Sequence, residues 1–332
     1  MRPDPHAAIY RPDLGVAVMG YIEQATLPYI GLEVMPLFPT AVQSATFSVI
    51  PKEALLKIPD TSRSPRGTYN RGNWTYQRGL FQTQERGWEE PIDDSEREYF
   101  EQTNPGMAEF VAAKRAASFI LRGQEQRIAN KVFNTTNFTG HAVAAKWNDP
   151  VNAQPIEDIN AGKKAFRQQC GMLPDALIIS YSTFLDLKNC AEIVNRLKYT
   201  FPGIDIAKMT STQLANAFDV PQVLVGSGIY DSAGEGLSSN VSDIWTNTMA
   251  ALVKISRGLD IAEPGVGRTF LWTPDAPSNP IVEEYREEER RSDILRCRHH
   301  VDERLIQSFD DQGNVVTNVA AACMYLFTGV TA

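Results

Sequence analysis

The chain has 332 residues, 43% of them apolar, with a formal net charge of -8 and a sequence pI near 5.2. Mid-range hydrophobicity and charge argue against a low-complexity disordered chain, and the length predicts one large or two moderate domains. The acidic balance argues against a surface that binds nucleic acid throughout, although one local basic segment exists.

Neither a targeting segment nor a membrane span is visible in the sequence. The first residues lack the apolar run of a secretory leader, and the most apolar stretch, residues 315–330, is too short to cross a bilayer. We therefore expect a chain that folds in a cytoplasm, where thiols stay reduced. The cysteines show no paired spacing and are interpreted as packed thiols: Cys170, Cys190, Cys297 and Cys323.

Residues 1–46 form a proline-punctuated arm. The prolines leave room for one short helix at most, near residues 14–24, because proline removes a backbone donor and restrains the residue before it. Such an arm has little core of its own, so we expect it to lie against a neighbouring copy.

Residues 47–92 contain a segment rich in arginine and aromatic residues that cannot bury a core face. A short strand at 47–50 precedes it, and strand-like alternation resumes across 72–88, which predicts an extended hairpin projecting from the body. Its expected contact residues are Arg63, Arg66, Tyr69, Arg71, Trp74, Tyr76 and Arg78.

Three roles are open for this hairpin. Arginine interleaved with tyrosine and tryptophan suits single-stranded nucleic acid, the same residue types dominate protein interfaces, and a solvated loop is the third possibility. An acidic stretch follows directly in the sequence, which favours contact between copies through charge complementarity. The candidate acidic partners are Glu96, Glu98, Glu101, Glu283 and Glu287.

A long helix is predicted over residues 105–133 and an α/β module after it. Asn104 and Pro105 form a helix start signal, and only Gly123 interrupts the apolar stripe of this spine helix. In the module, helices are predicted at 156–170, 182–189, 191–198 and 210–218, and buried strands at 176–180, 223–225 and 244–255. Gly171 is the predicted C-cap of the first of these helices.

The remaining segments are predicted to be strands. Residues 269–272 and 281–288 suggest one hairpin, and residues 290–306 suggest one or two further strands with charged flanks. The apolar segment 315–328 must be buried, and we expect it to return to the α/β module.

The sequence offers only weak candidates for chemistry. Gly226-Ser227-Gly228 follows a strand but lacks the third glycine of a dinucleotide fingerprint and any GK[ST] motif. His299 and His300 are adjacent on a strand and point to opposite faces, so they cannot converge on one metal ion unaided. We therefore predict no catalytic residue, cofactor or metal, and we interpret the acids at 283–289 as ion-paired with nearby arginines.

The order of these parts resembles the major capsid protein family of tailed phages, which has the Hong Kong 97 fold. The resemblance covers nearly the whole chain and is architectural. It implies an α+β capsid fold with an N-arm (1–46), an extended E-loop hairpin (47–92), a peripheral domain with the spine helix (93–149 and 260–310) and an α/β axial domain (150–259 and 311–332).

The family's function is to assemble hexamers and pentamers into an icosahedral shell around a double-stranded DNA genome. The resemblance implies self-assembly, a portal and a possible decoration protein as partners, non-specific enclosure of DNA, and assembly in a bacterial cytoplasm. Because the arm starts almost at Met1, we expect a separate scaffolding protein or none. Lys52 and Lys57 lie in the E-loop, but nothing identifies a partner for either, so we predict no cross-link.

Rival functions remain at this point. Encapsulins, which are protein compartments, resemble the same fold, and a nearby gene for a cargo enzyme would favour that function. A cytoplasmic enzyme using the module at 156–255 is the rival from another class and predicts a small oligomer with a deep pocket. Another phage structural component, such as a tail or decoration protein, is the third.

Overall fold

The structure, a computed structural model, describes residues 8–24, 29–49, 56–72, 77–103, 107–200, 209–234, 236–258, 260, 263–306 and 323–331. Its α-helices within these ranges are α1 (Pro12–Gln24), α2 (Gly31–Val34), α3 (Asp94–Thr103), α4 (Met107–Val132), α5 (Pro155–Cys170), α6 (Tyr181–Asn189), α7 (Ala191–Thr200) and α8 (Ser211–Phe218). Helix α4 is the predicted spine helix.

The strands follow in chain order. They are β1 (Ile9–Tyr10), β2 (Leu37–Thr40), β3 (Ser44–Val49), β4 (Gln77–Gln82), β5 (Gln84–Asp93), β6 (Gly140–Ala142), β7 (Ala176–Ser180), β8 (Gln222–Gly226), β9 (Ile229–Asp231), β10 (Val241–Asp243), β11 (Met249–Val253), β12 (Gly267–Trp272), β13 (Ile281–Glu287), β14 (Ser292–Leu305) and β15 (Met324–Thr328).

A six-stranded sheet packs on the spine helix. Its order is β1-β13-β14-β12-β2, with β5 also paired to β14. Strands β5, β13 and β12 all run antiparallel to β14. On the helix side, Ala112, Ala113 and Ala116 are buried against Leu295 and Cys297 of β14, and such small side chains let the helix lie close to the sheet.

A five-stranded sheet forms the α/β module, in the order β6-β15-β11-β7-β8. The predicted strand at 176–180 is confirmed as β7, and Ser180 caps α6 by accepting a hydrogen bond from the Thr183 N–H. Gly171 ends α5 with φ 73°, the predicted C-cap. The terminal apolar segment does return to this sheet as β15, between β6 and β11, while residues 307–322 lie outside the described residues.

The described part of the arm lies against its own chain, contrary to the expectation that it needs a neighbouring copy. Strand β1 pairs with β13, β2 runs parallel to β12, and two helices form where one was expected. Leu14 and Val18 are buried with the spine helix, and Arg11 forms ion pairs with Glu109 and Glu284. The arm therefore needs few apolar residues of its own. Its strands extend a sheet formed by other elements, and single side chains such as Leu14 and Val18 pack into a core that the spine helix already forms.

Glu125 of the spine helix is buried where the arm and the α/β module meet. Its carboxylate accepts hydrogen bonds from the backbone N–H groups of Ile30 (2.9 Å) and Gly31 (2.8 Å) and from Trp245 Nε1 (2.6 Å). Burial raises the pKa of Glu125, and the three donors partly offset that effect. A Cβ at position 31 would lie 2.4 Å from Glu125 Oε2, so the contact requires glycine there.

One strand pairing predicted in the second half of the chain was wrong. Strand β12 pairs with β14 and β2 rather than with β13, and the hairpin joins β13 to β14 instead. The turn is the 3-10 helix Glu288–Arg290 followed by Arg291 in the left-handed region, with φ 49°. The strand predicted within 244–255 is present as the shorter β11. Alternation alone does not reveal which strands pair, because the partner is chosen by tertiary packing.

Two glycines make a matched test of this packing. A Cβ on Gly226 would lie 2.3 Å from Trp245 Cδ1, whereas a Cβ on Gly123 would meet only Arg127 Nη1, at 3.5 Å. We expect Gly226→Ala to lower the free energy of unfolding by about 1–3 kcal/mol through overpacking. Gly123→Ala should raise it by about 0.5–1 kcal/mol through helix propensity. Urea denaturation of the unassembled chain measures both, and an unchanged midpoint for Gly226→Ala would contradict the packing.

Candidate functional site

The tip of the E-loop, residues 56–72, is organised around Arg63. Its Nε donates to the Gly67 carbonyl at 2.7 Å, its Nη1 donates to the Tyr69 hydroxyl at 3.2 Å, and its guanidinium carbon lies 4.7 Å from the centre of the Tyr69 ring. The Gly67 N–H also donates to the Ser64 carbonyl at 2.9 Å. Arg63 is thus used within the tip, which makes it less available to another copy than the sequence suggests.

Two other arginines lie in or close to the turn that Arg63 stabilises. Arg66 and Arg71 are exposed, and Arg66 has φ 67° at the apex of the turn. Arg78 is exposed on β4, which pairs with β3 to form the root of the predicted hairpin. In the part of the chain that the structure describes, no ion pair involves these three side chains. Trp74 and Tyr76, also predicted to make contacts, lie outside the described residues.

Helix α3 carries exposed acids and exposed aromatic rings. Arg97 faces inward and pairs with Asp293 at 2.7 Å and with Glu109 at 3.2 Å. Glu96 and Glu98 are exposed, and no ion pair involves them among the described residues; the side chain of Glu101 lies outside what the structure describes. Tyr99 and Phe100 are 71% and 41% exposed. Neither ring was among the contact residues predicted from the sequence, although adjacent aromatic residues in an acidic helix are visible there.

Glu283 and Glu287 form ion pairs within their own chain. Glu283 accepts a hydrogen bond from Arg298 Nη2 at 2.9 Å and lies 3.5 Å from Arg296, with only 13% of its side chain exposed. Glu287 lies 3.7 Å from Arg290. The predicted ion pairing at 283–289 is confirmed for these residues. Both acids are therefore less available to arginines of another copy than Glu96 and Glu98 are.

His299 and His300 point to opposite sides of β14, as predicted. His299 Nδ1 lies 2.8 Å from Asn279 Oδ1, and His299 Nε2 lies 3.3 Å from Arg127 Nη2. His300 lies on the other face of the sheet and contacts Asp275. Among the described residues, no group of three or more histidine, cysteine, aspartate or glutamate side chains could hold a metal ion.

The glycine pair at 226–228 does not open a helix in the structure. Gly226 is the last residue of β8, and β9 follows at Ile229 in a small hairpin with β10. Phosphate-binding loops of the dinucleotide type lead from a strand into a helix N-terminus. The predicted surface loop is instead the end of β8 followed by a short hairpin, and Gly226 and Gly228 are buried.

A buried polar network joins β14 to the spine helix. Glu303 is buried and accepts a hydrogen bond from Arg127 Nη2 at 2.7 Å. The same guanidinium also contacts His299. Burial, reinforced by the charge of Arg127, lowers the pKa of His299 from 6.5 to about 3. Burial raises the pKa of Glu303, but the hydrogen bond and charge of Arg127 outweigh it, so the net shift is downward.

This network predicts a loss of stability in acid. Between pH 6.5 and about 3 the unfolded chain protonates His299 while the folded chain does not, so the free energy of unfolding falls as the pH falls through that range. The expected loss from this residue is on the order of 5 kcal/mol. Urea midpoints of the unassembled chain at several pH values measure it. His299→Gln should flatten the profile between those limits, and an equally steep profile in that variant would rule out this cause.

Comparison with known proteins gives matches along almost the whole chain. No protein-family profile matches it. A curated relative, the major capsid protein of Burkholderia phage BcepMu, is 25% identical over 294 residues, which cover 87% of this chain and 90% of the relative. A phage-related protein from Bordetella bronchiseptica matches with a TM-score of 0.68 and 20% identity over 98% of each chain. A virus-like particle from Pyrococcus furiosus matches with a TM-score of 0.56 and 11% identity, over 95% of this chain and 98% of the other.

These matches confirm the predicted fold, an α+β capsid fold of the Hong Kong 97 type. They also confirm the resemblance to tailed-phage major capsid proteins and support a phage shell protein. The encapsulin-like alternative is not favoured, because a relative that matches in sequence over 87% of this chain is a phage capsid protein. Within the described ranges, no helix has the length and apolar character needed to cross a membrane.

Proposed function

We propose that this chain is the major capsid protein of a tailed phage or prophage, and that its copies assemble as hexamers and pentamers into an icosahedral shell around double-stranded DNA. The observation that carries the proposal is the similarity from end to end. A phage major capsid protein is 25% identical over 87% of the chain, and the fold matches a phage-related protein over 98%. The similarity includes the arm, the hairpin and the spine helix together.

The proposed role is structural and not enzymatic. The protein belongs to the virion, after assembly in the cytoplasm of a bacterial host, with a separate scaffolding protein, a portal and a possible decoration protein as partners. The net charge of -8 fits a container that encloses DNA without sequence-specific contact, because tight binding to phosphates requires a cationic surface.

In this shell the parts follow the boundaries expected from the sequence, except that β6 (Gly140–Ala142), which those boundaries assign to the peripheral domain, belongs to the five-stranded sheet of the α/β module. Residues 1–46 are the N-arm, 47–92 the E-loop, 93–149 and 260–310 the peripheral domain, and 150–259 and 311–332 the axial domain. Two hydrophobic cores follow this division, one inside the α/β module and one between the spine helix and the six-stranded sheet, and a third core joins the arm, the end of the spine helix and the module.

Between copies, the E-loop tip of one copy docks on helix α3 of the next. The described tip, residues 56–72, carries the cations Lys57, Arg63, Arg66 and Arg71 with one acid, Asp60. Helix α3 has the opposite balance, with Asp94, Glu96, Glu98 and Glu101 against Arg97 alone. Exposed tyrosines, Tyr69 and Tyr99, accompany the charges on each side. Charge complementarity of this kind sets register and partner choice.

Each tip contact is weak by itself. Exposed ion pairs contribute about 0–1 kcal/mol each, and aromatic side chains at interfaces contribute more. A closed shell repeats the contact around every capsomer, so the small contributions add through multivalency. The charged groups remain partly solvated, and the contact should therefore weaken as the ionic strength rises.

The first test is negative-stain electron microscopy of the purified recombinant chain, together with its sedimentation profile. Closed shells, tubes or rings of capsomers would support the proposal. A uniform small species with no assemblies, even after a candidate scaffolding protein is added, would contradict it and return attention to the α/β module.

The tip contact predicts the behaviour of paired charge reversals. Arg66→Glu with Arg71→Glu should leave the circular dichroism spectrum unchanged and reduce the number of shells roughly tenfold or more, because a repeated contact is lost at every position. Glu96→Arg with Glu98→Arg should have the same effect, and combining all four changes should restore particles in part. Particle counts by electron microscopy provide the measurement.

The matched control is Lys164→Glu with Arg167→Glu, since both side chains are exposed on α5 and the charge change is the same. We expect normal particles from this control. Normal particles from the Arg66 and Arg71 variant would sink the tip contact while leaving the capsid proposal intact.

A further inference from the structure

The fold brings together two cysteines that lie far apart along the chain. Cys170 is the last residue of α5, and Cys323 directly precedes β15. Both are buried in the core of the α/β module, where their side chains are hydrogen-bonded to each other. Both are free thiols in this structure. The spacing of the cysteines along the chain does not reveal this contact, because it is made by tertiary packing.

The hydrogen bonds indicate which thiol donates to the other. Cys170 Sγ donates to the Phe166 carbonyl at 3.1 Å, within the last turn of α5. Since the hydrogen of Cys170 is used there, Cys323 is the donor of the bond between the two thiols. That bond and burial raise the pKa of Cys323, so this thiol stays protonated at neutral pH. Thiols are weak donors, and little hydrogen bonding is lost when the two sulfurs bond to each other.

The backbone around each cysteine is fixed by its own hydrogen bonds. The Cys323 carbonyl accepts the Lys254 N–H at 3.0 Å, and the Cys323 N–H donates to the Gly265 carbonyl at 3.4 Å. Next to Cys170, the Gly171 N–H donates to the Arg167 carbonyl where α5 ends. A disulfide has an S–S length of about 2 Å, so it forms only between sulfurs that already face each other. Two thiols in contact need only side-chain rotation to reach that length.

The other two cysteines are buried in different surroundings. Cys190 Sγ donates to the Ala153 carbonyl at 3.7 Å. Cys297 packs in the core of the spine helix, and burial raises its pKa to about 12. Within the described residues, no hydrogen bond joins either of them to another cysteine. Oxidation to a disulfide is therefore expected at one pair.

We propose that Cys170 and Cys323 form an oxidation site, at which hydrogen peroxide converts the two thiols into a disulfide that ties β15 to the end of α5. The first sulfur attacks one peroxide oxygen, the O–O bond breaks, and water leaves behind a sulfenic acid. The second sulfur then displaces the sulfenic oxygen, so that an S–S bond forms and a second water carries away the remaining thiol hydrogen. The two sulfurs lose two electrons in total, and the peroxide gains them.

The order and timing of these steps follow from burial. Cys170 is the expected first sulfur, because it is 5% exposed whereas Cys323 is fully buried and protonated. Oxidation of buried thiols is slow, and a reducing cytoplasm keeps the pair open while the chain folds. The disulfide then closes after the particle has left the cell. This timing rests on the proposed function, and the oxidation site itself does not.

Treatment of the purified full chain with hydrogen peroxide, followed by denaturation and thiol counting, tests the site. The four thiols should fall to two. Trypsin cleaves after Lys188, between Cys170 and Cys190, so mass spectrometry without reduction should find residues 168–188 linked to residues 305–332. Four remaining thiols, or loss of thiols without this link, would overturn the proposal.

The stability of the oxidised chain provides a second measurement. The loop closed by the disulfide contains every strand from β7 to β14, so the bond removes much conformational freedom from the unfolded chain. The urea midpoint should rise by roughly 0.5–1 M on oxidation, and a reducing agent should abolish the rise. An unchanged midpoint in the linked chain would contradict the role of the bond in tying β15 to α5.

Single replacements separate this site from general oxidation. Cys170→Ala and Cys323→Ala should each keep their three remaining thiols and show no rise in the urea midpoint. Cys190→Ala is the matched control, because Cys190 is buried in the same core and its loss should leave the linked peptides unchanged. Two different variants remove the link, so the test stands if one of them fails to fold. Loss of two thiols in Cys170→Ala would also overturn the proposal.

Electron microscopy of the same preparations keeps the two proposals distinguishable. Shells without the linked peptides would defeat the oxidation site and leave the capsid function standing. The linked peptides without any assemblies would confirm the oxidation site and count against the capsid function.

Discussion

The rest of the structure depends on the pairing of one long strand. Strand β14 spans 14 residues, and its backbone binds β5, β13 and β12. Its helix-facing side chains, His299 and Glu303, hold Arg127 of the spine helix, and its opposite face holds the hairpin root through His300 and Asp302. The spine helix and the hairpin are thus fixed relative to each other because both are attached to the same rigid strand.

The distribution of charge follows from this arrangement. Around β14 the acids and arginines are partly buried, and burial of a charge is tolerated only with a partner, so these groups pair within the chain. Among the exposed charges without ion pairs in the described part of the chain are Arg66 and Arg71 at the E-loop tip and Glu96 and Glu98 on helix α3. The first set is cationic and the second anionic, which is what a contact repeated between identical copies requires.

Sequence reasoning succeeded where local signals are strong. Strand β7 was predicted at its observed bounds, because a run of apolar residues between polar ones has one simple interpretation, and the bounds of the spine helix and of α5 were predicted to within two residues. Sequence reasoning failed for contacts between segments that are distant along the chain. It did not predict that β12 pairs with β14 and β2, or that the arm packs against its own chain. In the candidate site it gave Arg63 the same role as Arg66, since composition does not show that Arg63 forms hydrogen bonds within its own turn.

By itself, the sequence determined the order of the parts, the exposed character of the hairpin tip, and the acidic segment that follows it. These properties depend on composition and periodicity, which are local along the chain. Only the tertiary structure decided which charges are already paired, that Glu125 joins the arm to the α/β module, and that His300 reaches the root of the hairpin 217 residues away along the chain. The reason is physical: hydrogen bonds and ion pairs are short-range, so their partners are set by packing of distant segments and leave no mark at either position in the sequence.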